Sequence, residues 1–282
     1  MNFSITTKSP ETLSNYVVVG MFESQKLTFA ANTINKVSKG TLLQNLKSRK
    51  FSGTAGQTLE LTNLPGTKAK TVLVIGLGSN KCKVEFIKAI ENVFSKVREA
   101  GETAITLFVP ELKASGVDRA WMTRQIASIG TSLSYRYEQR KTLLDGKSFS
   151  GAPAKVAVAI EGKSASSDKT HLAQGSAVGK GMNLAKDLGN LPANICTPRF
   201  LAEITTKLGK QNKFMVKCLS EADMKKLGMG ALLGVGQGSA NPSRIVAMEW
   251  NGAPQSKNKQ PIAFVEQEEL FSVKGHIRFD DL

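Results

Sequence analysis

The chain is poor in the groups that most catalytic or cross-linked proteins rely on. It has two histidines, His171 and His276, in 282 residues. Neither sits in a Cys/His cluster with zinc-ligand spacing. Its three cysteines, Cys82, Cys196 and Cys218, are widely separated and odd in number. That argues against a disulfide framework and suits reduced thiols in a cytoplasmic protein. No stretch approaches the roughly 20 apolar residues needed to cross a bilayer. The first residues, "MNFSITTKSPETLSNYVVVG", lack an apolar run behind a basic start, so neither a secretory signal nor a membrane partner is expected. No serine or cysteine occupies a Gly-x-Ser-x-Gly elbow, and two scattered histidines offer no evident base for a nucleophile.

What is present describes a soluble globular protein of one large or two ordinary domains, with 41% hydrophobic and 22% charged residues. The formal charge is +15, and the last 17 residues carry −3 of it, leaving +18 on residues 1–265. Such an excess attracts phosphate backbones at long range. The lysines are scattered, however, and few aromatics lie among them. A non-catalytic DNA-binding or architectural protein using this basic surface is therefore kept as the alternative reading.

Short apolar runs alternate with amphipathic stretches through the first half. "NYVVVG", "TVLVIGLG", "AITLFVP" and "AKVAVAI" read as buried strands. "VEFIKAIENVFSKVREAG" places Phe86, Ile90, Val93, Phe94 and Val97 at helical spacing and closes on Gly101. "RAWMTRQIASIGTSLSYRYEQR" reads as a second helix with Trp121, Ile126, Ile129 and Leu133 inward. Strands alternating with helices imply a largely parallel α/β sheet. Residues 1–160 are taken as the first domain, the polar stretch 161–171 as a linker, 172–265 as the start of a second α/β unit, and 266–282 as an atypical tail. In the second unit a long helix is expected from about Leu172 to Leu188. Thr197–Pro198 should open another helix. "FMVKCLS", "SRIVAMEWNG" and "QPIAFV" are expected as strands, and Ser220 with Asp223 as a helix start.

Two glycine-rich stretches need weighing. "IGLGS" follows a strand and precedes a helix, so its amides could hold an anion, though a tight strand-to-helix turn explains it more simply. "LLGVGQGSANPSRIV" fits neither a dinucleotide fingerprint nor a P-loop, because its glycines precede a strand; a tight connection is the expectation.

"N-x-P-x-N-x-x-T-P" at Asn190 to Pro198, followed by "MGALLGVGQGSANPSRIVAMEWNG", closely resembles the M17 leucyl aminopeptidases, the cytosol aminopeptidase family. "VLVIGLG" and "SLSYRYEQRKT" match the same family upstream. The resemblance covers residues 15 to 265. It implies a macro-like α/β N-terminal domain joined to the incomplete start of a zinc-peptidase-like α/β catalytic domain. It further implies hexamers that release N-terminal residues from peptide substrates using two divalent metals (zinc, manganese or magnesium). For this chain, assembly into that hexamer is a weaker expectation.

The family pattern breaks after "PIAFV". Where the family continues "GKG-[VI]-TFD-[ST]-GG", with a lysine and an aspartate as first metal ligands, this chain has Glu266, Gln267 and Glu268. "VKGHIRFDD" echoes the motif and nominates Lys274 and Asp280 as weak metal-ligand candidates. Yet the lysine-to-aspartate interval grows from five to six, and one added residue reverses side-chain direction on a strand. No catalytic or cofactor-binding residue is assigned. No bound cofactor is expected for this chain, and it is expected to be catalytically silent, a pattern that a shifted reading frame after Val265 would produce. A nucleotide such as ADP-ribose in the macro-like domain is a third, minor expectation.

Overall fold

Apolar runs with both faces buried are the mark of parallel strands covered on two sides, and two segments meet that description in full. Strand β2 (Tyr16–Met21) and strand β4 (Thr71–Gly76) are buried at every position. They lie side by side, parallel, at the centre of a six-stranded sheet in the computed structural model, which describes residues 1–110, 112–137, 153–163, 166–252 and 260–265. With β1 (Asn2–Thr6), β3 (Thr58–Thr62), β5 (Ala104–Phe108) and β6 (Lys155–Ala159), the order is β1-β6-β5-β2-β4-β3. Only the β3–β4 pairing is antiparallel.

Helices cover both faces. On one face α3 (Lys83–Glu99) and α4 (Arg119–Leu133) bury Phe86, Ile90, Val93, Phe94 and Ile126 against Val18, Leu73 and Ile105. The helical spacing anticipated in α3 is thus the spacing that is buried, and Gly101 follows the helix in the left-handed region at φ +70°. On the other face α1 (Phe29–Val37) and α2 (Thr41–Ser48) place Ile34, Leu42 and Leu46 against Val17, Val19 and Val74.

Helix α5 (Ser166–Asn190) starts six residues before the expected Leu172. "SSDKTH" has the composition of a loop, but Asp168 is buried and its carboxylate meets Arg119 Nε at 3.3 Å. That pairing lets the helix begin inside the polar stretch. Further along, α5 lies unusually close to α4. A Cβ on Gly175 would strike the Arg124 carbonyl oxygen, and one on Gly179 would meet Thr131 and Ser128. Asn183 Nδ2 donates to Thr131 O at 2.9 Å, and Lys186 Nζ donates to Ser132 Oγ at 2.7 Å. Positions 175, 179, 183 and 186 fall on one stripe of the helix.

The chain divides into two compact units at Lys186/Asp187. The second contains α6 (Pro198–Asn212), β7 (Met215–Leu219), α7 (Glu221–Lys226), α8 (Gly230–Gly236) and β8 (Ile245–Glu249). Thr197 caps α6 by accepting from Phe200 N, and Ser220 with Asp223 forms a full capping box on α7, as their sequence positions suggest. β7 and β8 pair antiparallel as a two-stranded sheet, with α6 packed on it.

Two expectations fail here. Gly234 and Gly236 belong to helix α8, not to a tight connection, and neither they nor Gly238 has a positive φ. What favours glycine at Gly236 is a close approach of Ser243, whose Oγ a Cβ would strike. "PIAFV" is not a buried strand: residues 261–265 carry no strand pairing and are exposed, Phe264 at 93% and Val265 at 95%. An apolar run becomes a buried strand only when it has a neighbour to bond and faces to cover it.

Candidate functional site

Ligands in open parallel sheets sit beyond the carboxyl ends of the strands, where the connections diverge. In the first unit that place is the end of β2, which has β4 on one side and β5 on the other. It is filled. Leu77 reaches across so closely that a Cβ on Gly20 would strike its side chain. The remaining cavity, lined by Val18, Gly20, Leu77, Leu107, Phe108 and Pro110 among others, is about 10 Å³. That is roughly one water, against about 300 Å³ or more for a small-molecule site. This cavity is too small for ADP-ribose.

One amide of "IGLGS" does meet an anion, but one from the same chain; those of Gly76, Leu77 and Gly78 donate to backbone carbonyls. Ser79 N and Ser79 Oγ both donate to Glu85 Oε2, at 2.8 and 2.7 Å. The loop is a strand-to-helix turn closed by the first turn of α3. Tyr16 is pushed above its ordinary pKa first by burial and then by its hydrogen bond to Glu60 at 2.8 Å. A buried phenol tied to one carboxylate braces the sheet and faces no ligand space.

In the second unit an open groove of about 510 Å³ runs beside α6, where Arg199, Lys207, Lys210, Cys218 and Arg244 converge with Glu203. Arg199 Nε donates to Glu203 Oε1 at 2.8 Å, one turn along the helix. Cys218 is exposed, with Sγ 3.7 Å from Thr206 Oγ1. Nothing in the groove joins a nucleophile to a base. The loop before α6 is ordered by Ile195 N and Cys196 N, which both donate to Pro192 O, and Cys196 is buried as a small loop side chain.

A metal pair fares no better among the described residues, where no group of three or more His, Cys, Asp or Glu side chains is placed to hold an ion. The described residues thus do not fit the two-metal centre implied by the family resemblance, and no chemical step is routed through one. Lys274 and Asp280, the nominated ligands, lie outside the described residues, as does His276. His171 is half-buried on α5 with Nδ1 lacking a hydrogen-bond partner.

The fold alone defines an α/β protein with a mixed, mainly parallel sheet followed by a smaller α/β unit. Comparison makes the class specific. Residues 18–143 match the N-terminal domain of the cytosol aminopeptidase family, and residues 183–267 match its catalytic domain. The chain belongs to the cytosol aminopeptidase family. A probable cytosol aminopeptidase of Alkalilimnicola ehrlichii is 38% identical over 279 residues, covering 98% of this chain and 56% of that protein. The chain thus spans about half the length of the curated relatives it matches. A tomato leucine aminopeptidase mutant superposes with a TM-score of 0.65 at 20% identity, over 87% of this chain and 49% of that one. The bottromycin maturation enzyme BotP in complex with Mn gives 0.64 at 23% identity, over 85% and 46%. These two likenesses establish the fold.

The family and the α/β class with a mainly parallel sheet, both read from the sequence, therefore hold. No helix among the described residues is long and apolar enough to cross a membrane.

Proposed function

We propose that this chain is the N-terminal domain and the opening of the catalytic domain of a metal-dependent leucyl aminopeptidase, and that the 282-residue polypeptide alone does not hydrolyse peptides. Residues 1–160 serve as the N-terminal domain and 172–265 as the start of the catalytic domain. The activity it belongs to is release of N-terminal residues from peptides in the cytoplasm, a chemistry to which two divalent metals would contribute in a complete family member. The observation that carries the silence of this polypeptide is the sequence after Val265. Glu266, Gln267 and Glu268 stand where the family pattern brings its first lysine ligand. The test is leucine-p-nitroanilide hydrolysis by the pure chain with added manganese or zinc. Turnover indistinguishable from buffer is expected; metal-dependent turnover that survives repurification overturns the reading.

A second reading, binding to DNA, is favoured by one observation. Residues 24–59 contain no acid and six bases, Lys26, Lys36, Lys39, Lys47, Arg49 and Lys50, all exposed on or beside α1 and α2. Phosphate neutralisation on duplex DNA makes log affinity fall with log salt by about 0.9 per phosphate. A gel-shift across a salt series that gives no complex at low salt removes this reading.

A further inference from the structure

The groove beside α6 holds four basic side chains and one acid. Arg199, Glu203, Lys207 and Lys210 follow one another along a single flank of the helix. Arg244, the residue before β8, lines the same opening. Glu203 is already taken by Arg199, whose Nε lies 2.8 Å from its Oε1. Lys207, Lys210 and Arg244 form no ion pair with a described residue. Glu221 accepts instead from Ser243 N at 2.7 Å, and Arg244 Nη1 donates to Ser243 O at 2.9 Å. Lys207 and Lys210 are neighbours on the helix surface, where like charges repel. Cations without a counter-charge thus line one opening. Its rim differs from the open apolar surface of the same unit. Met248 and Trp250, 64% and 76% exposed, would gain from burial under another apolar surface. Burying unpaired ammonium groups in the same way is costly. The groove therefore suits a charged, solvated ligand and not a covering layer.

We propose that the α6 groove binds a small polyanion carrying two or more adjacent phosphoryl groups. The guanidinium of Arg244 offers a planar fork that matches the oxygens of one phosphoryl group. The ammonium groups of Lys207 and Lys210 supply point charges for its neighbour. A single carboxylate would leave most of this positive charge uncompensated. The groove volume of about 510 Å³ lies within the roughly 300–1,000 Å³ of small-ligand clefts. Every residue of the lining lies between Arg199 and Arg244, within the second unit. The assignment goes beyond the peptidase reading and does not depend on it.

Cys218 belongs to the same lining and is exposed, so its alkylation by neutral iodoacetamide reports occupancy of the groove. Cys82, partly exposed at the start of α3, serves as the internal reference, and Cys196 is buried. Tripolyphosphate added to the 282-residue chain should slow alkylation of Cys218 about fivefold, the effect of filling roughly four-fifths of the sites. Mass spectrometry should show Cys82 keeping its rate, and sodium sulfate at matched ionic strength should not reproduce the effect. The double variant Lys207→Gln with Lys210→Gln alters exposed positions only and keeps good helix formers. It should lose the protection while keeping the circular dichroism of the parent chain. Lys36→Gln with Lys39→Gln, in and just after α1, should retain it. Equal slowing of both cysteines, or the same slowing by sulfate, would mean general screening by salt and overturns the proposal. So does protection that survives in the Lys207 and Lys210 variant. Protection by duplex DNA but not by tripolyphosphate would give the groove to a nucleic-acid backbone and likewise overturns the small-ligand site.

Discussion

The two units of this chain use the same kinds of local signal and reach different ends. Before Lys186, capped amphipathic helices lie on a sheet whose central strands are buried on both faces. Beyond it, helices just as well capped leave their sheet largely open. Of the buried apolar residues among those described, only Cys196, Ala202 and Met224 belong to the second unit. Caps and periodicity are worth about 1 kcal/mol or less each, whereas burying one large apolar side chain contributes about 1.5–3 kcal/mol. Secondary structure can therefore be specified locally where stability is not. The first unit has a core of its own; the second has elements in search of one.

The sharpest way to break that contrast is to delete one large side chain from each unit. Phe86 is fully buried and touches Trp121, ring to ring, at 5.6 Å. Phe86→Ala should cost about 3–5 kcal/mol. It should raise hydrogen exchange across β2 and β4, read peptide by peptide. Met248→Ala, at an exposed position, should change stability by less than about 0.5 kcal/mol. Equal losses from the two would mean that the second unit has a core after all.

A smaller effect tests whether the α4–α5 crossing is part of the first unit's rigidity. Gly175→Ala puts a methyl against the Arg124 carbonyl oxygen and 2.9 Å from Ala127 Cβ. Overpacking of this kind costs about 1–3 kcal/mol, more than the ~1 kcal/mol that alanine gains over glycine in a helix. Gly181→Ala, on the same helix with nothing within 4 Å, should stabilise by about 1 kcal/mol. Thermal melts of the two variants should shift in opposite directions.

Much of this was legible beforehand where one pattern and one partner sufficed. α3 was readable from its apolar spacing and Gly101, β2 and β4 from unbroken apolar runs, and α7 from Ser220 and Asp223. The misses have a common physical cause. The start of α5 reads as a linker because its polar residues are held by Arg119, 49 positions away from Asp168. The five-residue edge strands β1 and β3 and the helices α1 and α2, nine and eight residues long, are short elements fixed by the sheet they join. "PIAFV" reads as a buried strand because composition reports what a segment can bury, not whether anything covers it. The candidate site divides likewise. The Glu85 closure of "IGLGS" and the Leu77 plug depend on side-chain reach, which spacing alone does not reveal. Lys274 and Asp280 remain nominations from a motif with one residue too many.

The finest test asks whether local specification in the second unit persists without a core, and Asp223 supplies it. Its carboxylate accepts from Ser220 Oγ at 2.6 Å and from Ser220 N at 2.9 Å. Those bonds, the side-chain one first, hold its pKa below the usual aspartate value, with Lys226 and Lys217 adding to the effect. A folded-state pKa lower than the unfolded one means that the ionised carboxylate favours the capped helix. The stabilisation is complete above the ordinary aspartate pKa, about 3.9, and fades as pH falls through the lowered folded value. Carbon-detected NMR should thus give Asp223 a midpoint below that of a flexible aspartate, with α7 amides shifting over the same acid range. Ser220→Ala should return the midpoint toward the ordinary value and loosen α7 at neutral pH, leaving β2 and β4 exchange unchanged. A normal midpoint in the parent chain would show that the capping box does not persist on a unit this open, and local specification would then need the same covering that stability does.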